Sequence, residues 1–116
     1  MSEAGNLRLL DYLQHIRDAI LRIGRYVNGL DETRFIADDK TQDAVIRNLE
    51  IIGEAVKNIS NTAKKKHKNI AWNDWAKVRD KLIHHYFGVN LDIVWNILED
   101  FLPDLLQQVN NITKKS

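Results

Sequence analysis

Apolar residues at Leu9, Leu13, Ile16, Ile20, Ile23, Val27 and Leu30 follow one another at alternating steps of four and three. At about 100° per residue such positions share one stripe of an α-helix, whereas a half-buried strand would need strict alternation. A stripe this narrow and this sustained is the seam of a helix that packs lengthwise against a neighbour at a shallow angle. Met1 to Gly5 read as a disordered lead-in, and Asn28-Gly29 as the C-terminal stop. His15, beside the stripe rather than on it, is expected to be exposed.

The remainder of the chain continues in helical periods. Asp31 to Lys40 reads as a polar connection from which Phe35-Ile36 tuck back onto the bundle. Asp38 or Asp39 is placed to cap a second helix beginning near Thr41. In that helix Ala44, Val45, Ile46, Leu49, Ile51, Ile52, Ala55, Val56 and Ile59 cover more than half the circumference. Such a helix is either central to the bundle or shared between its own core and a second subunit. Gly53 costs about 1 kcal/mol there relative to alanine, which implies the close approach of another backbone. Ser60 to Asn69 reads as a basic loop. A third helix follows from about Trp72, with Asn73 or Asp74 as local cap, and breaks at Gly88-Val89-Asn90. The last begins near Leu91, with Leu91, Val94, Leu98, Phe101, Leu105 and Ile112 on its stripe. Pro103 lacks an N–H and crowds the Glu99 carbonyl, so it should kink or split that helix. With five glycines and one proline in 116 residues, the sum is all-α: an antiparallel four- to five-helix bundle in a single domain, 1–116.

Composition excludes several function classes. No apolar run approaches the ~20 residues that cross a bilayer, and the N-terminus has no signal-peptide core. The absence of cysteine removes disulfides and thiolate metal sites and is compatible with a cytoplasmic location. A net charge of +1 says little about nucleic acid. Its distribution leaves two readings of Lys64-Lys65-Lys66-His67-Lys68 and of Lys114-Lys115: solvated loop and tail, or a rim that attracts phosphates. There is no glycine-rich phosphate loop and no Gly-x-Ser-x-Gly elbow. His84 and His85 diverge by about 100° on a helix and have no third ligand, so neither a metal site nor a cofactor is expected.

One residue does not fit a plain bundle. On a helix, Trp72, Trp75, Leu82, Ile83 and Tyr86 fall within about 60° of Arg79. A guanidinium amid such a stripe is costly to bury without a partner or a solvated cleft. Either Arg79 snorkels or pairs with a carboxylate such as Glu54, or Arg79, His84 and Tyr86 form a polar site on a helix end closed by Gly88.

Arg79, His84 and Tyr86 stand as Arg-x4-His-x-Tyr, which resembles the Arg-x4-6-His-x-Tyr signature of HepT-like ribonuclease toxins, a family of the helical HEPN superfamily. Leu49-Glu50-Ile51-Ile52-Gly53-Glu54-Ala55 is similar to that family's second-helix segment. Tyr86-Phe87-Gly88-Val89, followed by Ile93-Val94-Trp95, resembles its passage into the last helix. The likeness runs from roughly Asp43 to Leu106. It implies a HEPN-like fold and a metal-independent endoribonuclease whose cleft is composed from two motifs across a homodimer. It also implies a partner, a minimal nucleotidyltransferase antitoxin that transfers AMP to the motif tyrosine, here Tyr86.

The chemistry suits those residue types. RNA carries its own nucleophile, the 2′-OH, so cleavage needs a base, an acid and positive charge on the phosphorane. Histidine titrates near neutrality and serves the proton transfers, whereas arginine is a fixed cation matched to phosphate oxygens. Asp80, one turn before His84, can orient that imidazole or hold Arg79. Glu54 can anchor Arg79 or a partner's cation, and whether His85 assists is open. One motif supplies one well-placed histidine, so a two-fold dimer is the simplest way to supply both acid and base. Two other readings stand beside this one: a non-catalytic helical partner of a nucleotidyltransferase that binds nucleotide or RNA, and a structural dimerisation domain with Arg79 in a buried ion pair.

Overall fold

Gly29, at φ +80°, turns the chain out of its first helix, and the Leu30 amide donates to the Val27 carbonyl at 2.9 Å. The computed structural model describes residues 3–83 and 89–115. Helix α1 spans Glu3–Val27 and therefore begins earlier than expected, because Glu3 and Ala4 favour helix and Glu3 sits at the positive end of its dipole. Its seam is as the spacing predicts: Leu9, Leu13, Ile16, Ile20 and Ile23 are buried, Val27 is half-buried and His15 is exposed.

The polar connection contains a helical turn of its own. Asp31 accepts from the Arg34 amide and starts α2, Glu32–Ile36. Phe35 is fully buried, with its ring 5.3 Å from that of Trp95. Ile36 does not tuck in; it is 44% exposed. The Gln42 side-chain amide donates to the Phe35 and Ile36 carbonyls and closes the turn.

Helix α3 spans Asp39–Asn58 and is capped by Asp38, whose carboxylate accepts from the Thr41 amide and hydroxyl. That double acceptance holds the Asp38 carboxyl below its ordinary value, the Thr41 hydroxyl being the larger cause. Val45, Leu49, Ile52, Ala55 and Val56 are buried inside the one chain, and Ala44, Ile46 and Ile51 are half-buried at the edges. Within the chain α3 is central: it packs most extensively on α1 and also meets α2, α5 and α6.

Ser60 to Asn69 is not a loop. Ser60 accepts from the Ala63 amide and caps α4, Asn61–Lys66. Alanine and lysine are good helix formers, which a serine cap is enough to nucleate against a packed neighbour. His67 is the half-buried residue that ends α4 rather than a solvated one. Its carbonyl accepts from the Trp72 indole at 2.9 Å, and Gln108 reaches across to the Asn69 carbonyl at 2.9 Å.

The expected third helix is two short ones, α5 at Trp72–Ala76 and α6 at Val78–Ile83, divided at Lys77. Ala71 precedes α5 without a side-chain cap, so neither Asn73 nor Asp74 has the expected role. The break at Gly88 lies outside the described residues; beyond it Asn90 caps α7, Leu91–Asn96.

The last helix is split ahead of Pro103, as the proline implied. A single π turn, Ile97–Phe101, joins α7 to α8, Leu102–Lys115, and the Leu102 amide donates to the Ile97 carbonyl. The wider turn relieves the crowding before the proline ring and adds one residue to the period. The core position therefore passes from Phe101, 57% exposed, to Leu102, 3% exposed. Leu105, Val109 and Ile112 continue the buried stripe. No strand occurs among the described residues, so the all-α bundle expected from the sequence is what the chain forms.

Candidate active site

Gly53 sets the geometry of the motif region. A Cβ at this position would stand 3.1 Å from the Trp75 carbonyl oxygen, 3.4 Å from Val78 Cγ1 and 3.8 Å from the Ala76 carbonyl. The backbone at the α5–α6 junction therefore lies directly on α3, the close approach that a glycine in this helix implied. Trp72, Trp75, Val78 and Leu82 bury the inner face of α5 and α6. Arg79 follows Val78 immediately, so its backbone is held by this packing.

The candidate residues divide between two helices. Asp80 lies on the exposed side of α6. Glu54 is exposed on α3, in a cleft of about 270 Å³ with Arg47, Glu50, Lys57 and Ala76. Glu54 thus stands next to the glycine on which the α5–α6 junction packs. The Arg79 side chain, and His84, His85 and Tyr86 entirely, lie outside the described residues.

Two further surfaces flank α5 and α6. On one side is a groove of about 350 Å³, lined by Trp75, Val78, Ile93, Ile97 and Phe101 with Lys81 at its edge. On the other, Lys64, Lys65 and Lys68 face the start of α5 across a groove of about 600 Å³.

A polar link inside the bundle was not foreseen. Asn48, 3% exposed, accepts from Arg22 Nε at 2.8 Å and donates to the Ala44 carbonyl at 2.8 Å. The signal was present: Asn48 is a lone amide among the core positions of an otherwise apolar face, and such groups require partners.

A bundle without strands among the described residues, with α5 and α6 seated on a central α3, fits the class of HEPN-like bundles. The model of the ribonuclease HepT-like family matches residues 16–112, and the chain belongs to that family. It is 42% identical over 106 residues to a Methanocaldococcus jannaschii protein provisionally named an RNase, covering 91% of this chain and 84% of that one. It is 44% identical over 104 residues to a Thermococcus cleftensis protein named probable ribonuclease HepT, covering 90% and 94%. A Caldanaerobacter subterraneus protein, also provisionally named an RNase, is 41% identical over 104 residues, covering 90% and 93%. No solved structure matches significantly. Among the described residues, no helix is long and apolar enough to cross a membrane.

Proposed function

We propose that this chain is a metal-independent endoribonuclease, the cytoplasmic toxin of a toxin–antitoxin pair, acting as a homodimer with Arg79 and His84 of both copies in one groove. The observation that carries the reading is the family match over residues 16–112, which spans Arg79, His84 and Tyr86. In the reaction, His84 of one copy accepts the proton of a 2′-OH as that oxygen attacks the adjacent phosphorus. The bond from phosphorus to the 5′ oxygen breaks, and His84 of the other copy, as imidazolium, protonates the leaving oxygen. The products are a 2′,3′-cyclic phosphate and a 5′-hydroxyl. Arg79 offsets the charge that grows on the non-bridging oxygens. Asp80 orients His84, and Glu54 anchors cationic groups beside the motif.

The apolar groove next to α6 is the surface on which this reading joins the copies. Its exposed Ile93 and Phe101 have more to bury than the edge of α3 does, and a two-fold contact there brings two α6 helices together. A nucleotidyltransferase antitoxin would silence the pair by transferring AMP to Tyr86, placing bulk and phosphate charge beside Arg79 and His84.

Expression in a host cell tests the proposal. Wild-type protein should arrest growth, and Arg79→Ala or His84→Ala at equal protein levels should relieve the arrest, each costing about 10²-fold or more in cleavage rate. Toxicity that survives both substitutions removes the enzymatic reading.

A further inference from the structure

The basic run is not a uniform patch. Lys64, Lys65 and Lys68 line the groove between α4 and the start of α5, with Asn61, Asn73 and Asp74, whereas Lys66 does not line it. The groove is shaped by fixed parts. The Trp72 indole holds the His67 carbonyl and Gln108 holds the Asn69 carbonyl, so the turn that carries Lys68 is tied to both α5 and α8. Lys64 is half-buried, while Lys65 and Lys68 are exposed. Three ammonium groups against the one carboxylate of Asp74 leave the trough cationic.

We infer that this groove is a phosphate-tracking surface for single-stranded RNA, an extended substrate subsite separate from the cleavage residues; the inference rests on the ribonuclease reading above. Lysines are point charges on flexible stems that follow a phosphate backbone without reading sequence. Amides from Asn61 on the α4 side and Asn73 on the α5 side add neutral donors along the groove. The groove's α5 side runs into the motif helix: Asp74 and Arg79 are five positions apart, at most about 18 Å even if the chain were fully extended. A strand lying along the α5 wall therefore reaches the helix that carries Arg79 within a few nucleotides. Ile70, Ala71 and Trp72 complete the lining, but Ile70 and Trp72 are buried, so an acidic protein segment would find little apolar surface to anchor a side chain.

The test is the salt dependence of binding to a 2′-O-methyl single-stranded oligonucleotide, which lacks the nucleophile and stays intact. Each lost phosphate contact should lower the slope of log K against log salt by about 0.7. Lys64→Ala, Lys65→Ala and Lys68→Ala combined should lower it by about 2, while Lys66→Ala, which removes the same charge one position away, should leave it unchanged. Asp74→Asn should tighten binding. RNA bound by the wild type with the same slope in the triple variant overturns the groove and leaves the ribonuclease reading standing. A fall of about 0.7 in Lys66→Ala, the same per lysine as in the triple variant, overturns it too, because the effect would then be one of general charge. Polyglutamate that competes as well as RNA would make the surface a protein-binding one. A wild type that neither binds nor cleaves RNA removes the ribonuclease reading as well.

Discussion

Substituting Gly53 by alanine separates two effects of opposite sign. In a helix interior alanine is favoured by about 1 kcal/mol. The new Cβ, however, would lie 3.1 Å from the Trp75 carbonyl oxygen, so the α5–α6 junction must retreat by a few tenths of an ångström. That oxygen is backbone, in a junction where the Lys77 amide is held by the Asn73 carbonyl at 3.1 Å, so it cannot swing aside as a side chain could. Overpacking of this kind costs about 1–3 kcal/mol. The balance predicts that Gly53→Ala lowers stability by about 1 kcal/mol, or roughly 3–5 °C in Tm for a chain of this size. Gly24 is the control: it lies within α1 and a Cβ there meets nothing within 4 Å. Gly24→Ala should raise stability by up to about 1 kcal/mol. Thermal and urea unfolding of both variants at one fixed protein concentration measures the difference, and RNA cleavage should fall in Gly53→Ala alone because α6 carries Arg79. A Gly53→Ala protein as stabilised as Gly24→Ala refutes the claim that this glycine exists for close approach.

Other perturbations probe separate links. Asn48→Ala should cost about 1–3 kcal/mol by leaving Arg22 Nε without its partner, whereas Arg22→Leu with Asn48→Leu should recover part of that loss in a double-mutant cycle. Asp38 carries a lowered carboxyl pKa, so its contribution to stability is complete above the ordinary value of 3.8 and is lost as pH falls through the lowered value. Asp38→Asn keeps a capping oxygen and should abolish that part of the acid limb in equilibrium unfolding. Phe101→Asp should leave the unfolding midpoint of the isolated subunit within about 0.5 kcal/mol of wild type, since the ring is mostly exposed. It should nevertheless shift sedimentation to monomer and abolish cleavage; a stable, active dimer would move the proposed interface elsewhere.

Periodicity was a sound guide where one face of a helix decides burial. The Leu9 to Val27 seam and the buried side of α3 follow directly from residue spacing, and Gly53 announced a backbone contact before its partner was known. It failed where local backbone geometry changes the count. The π turn before Pro103 slips the stripe by one residue, so Phe101 and Leu102 exchange places, and no apolar pattern records such a slip. Lys77 divides the motif region for a similar reason: the junction is fixed by packing on Gly53, which helix propensity does not encode. Helix α4 was legible in principle, since Ser60 precedes residues that favour helix, but its lysines masked it as loop. The proposed site was legible only as a motif, the order and type of Arg79, His84 and Tyr86, because neither periodicity nor packing assigns a chemical role.

Cleavage of a defined RNA oligonucleotide by the purified protein in excess EDTA tests the central claim most directly. The expected fragments end in a 2′,3′-cyclic phosphate and a 5′-hydroxyl, are blocked by a 2′-deoxy substitution at the cut position and are lost in both Arg79→Ala and His84→Ala. Cleavage that requires a divalent ion, or that persists in the His84→Ala protein, would contradict it.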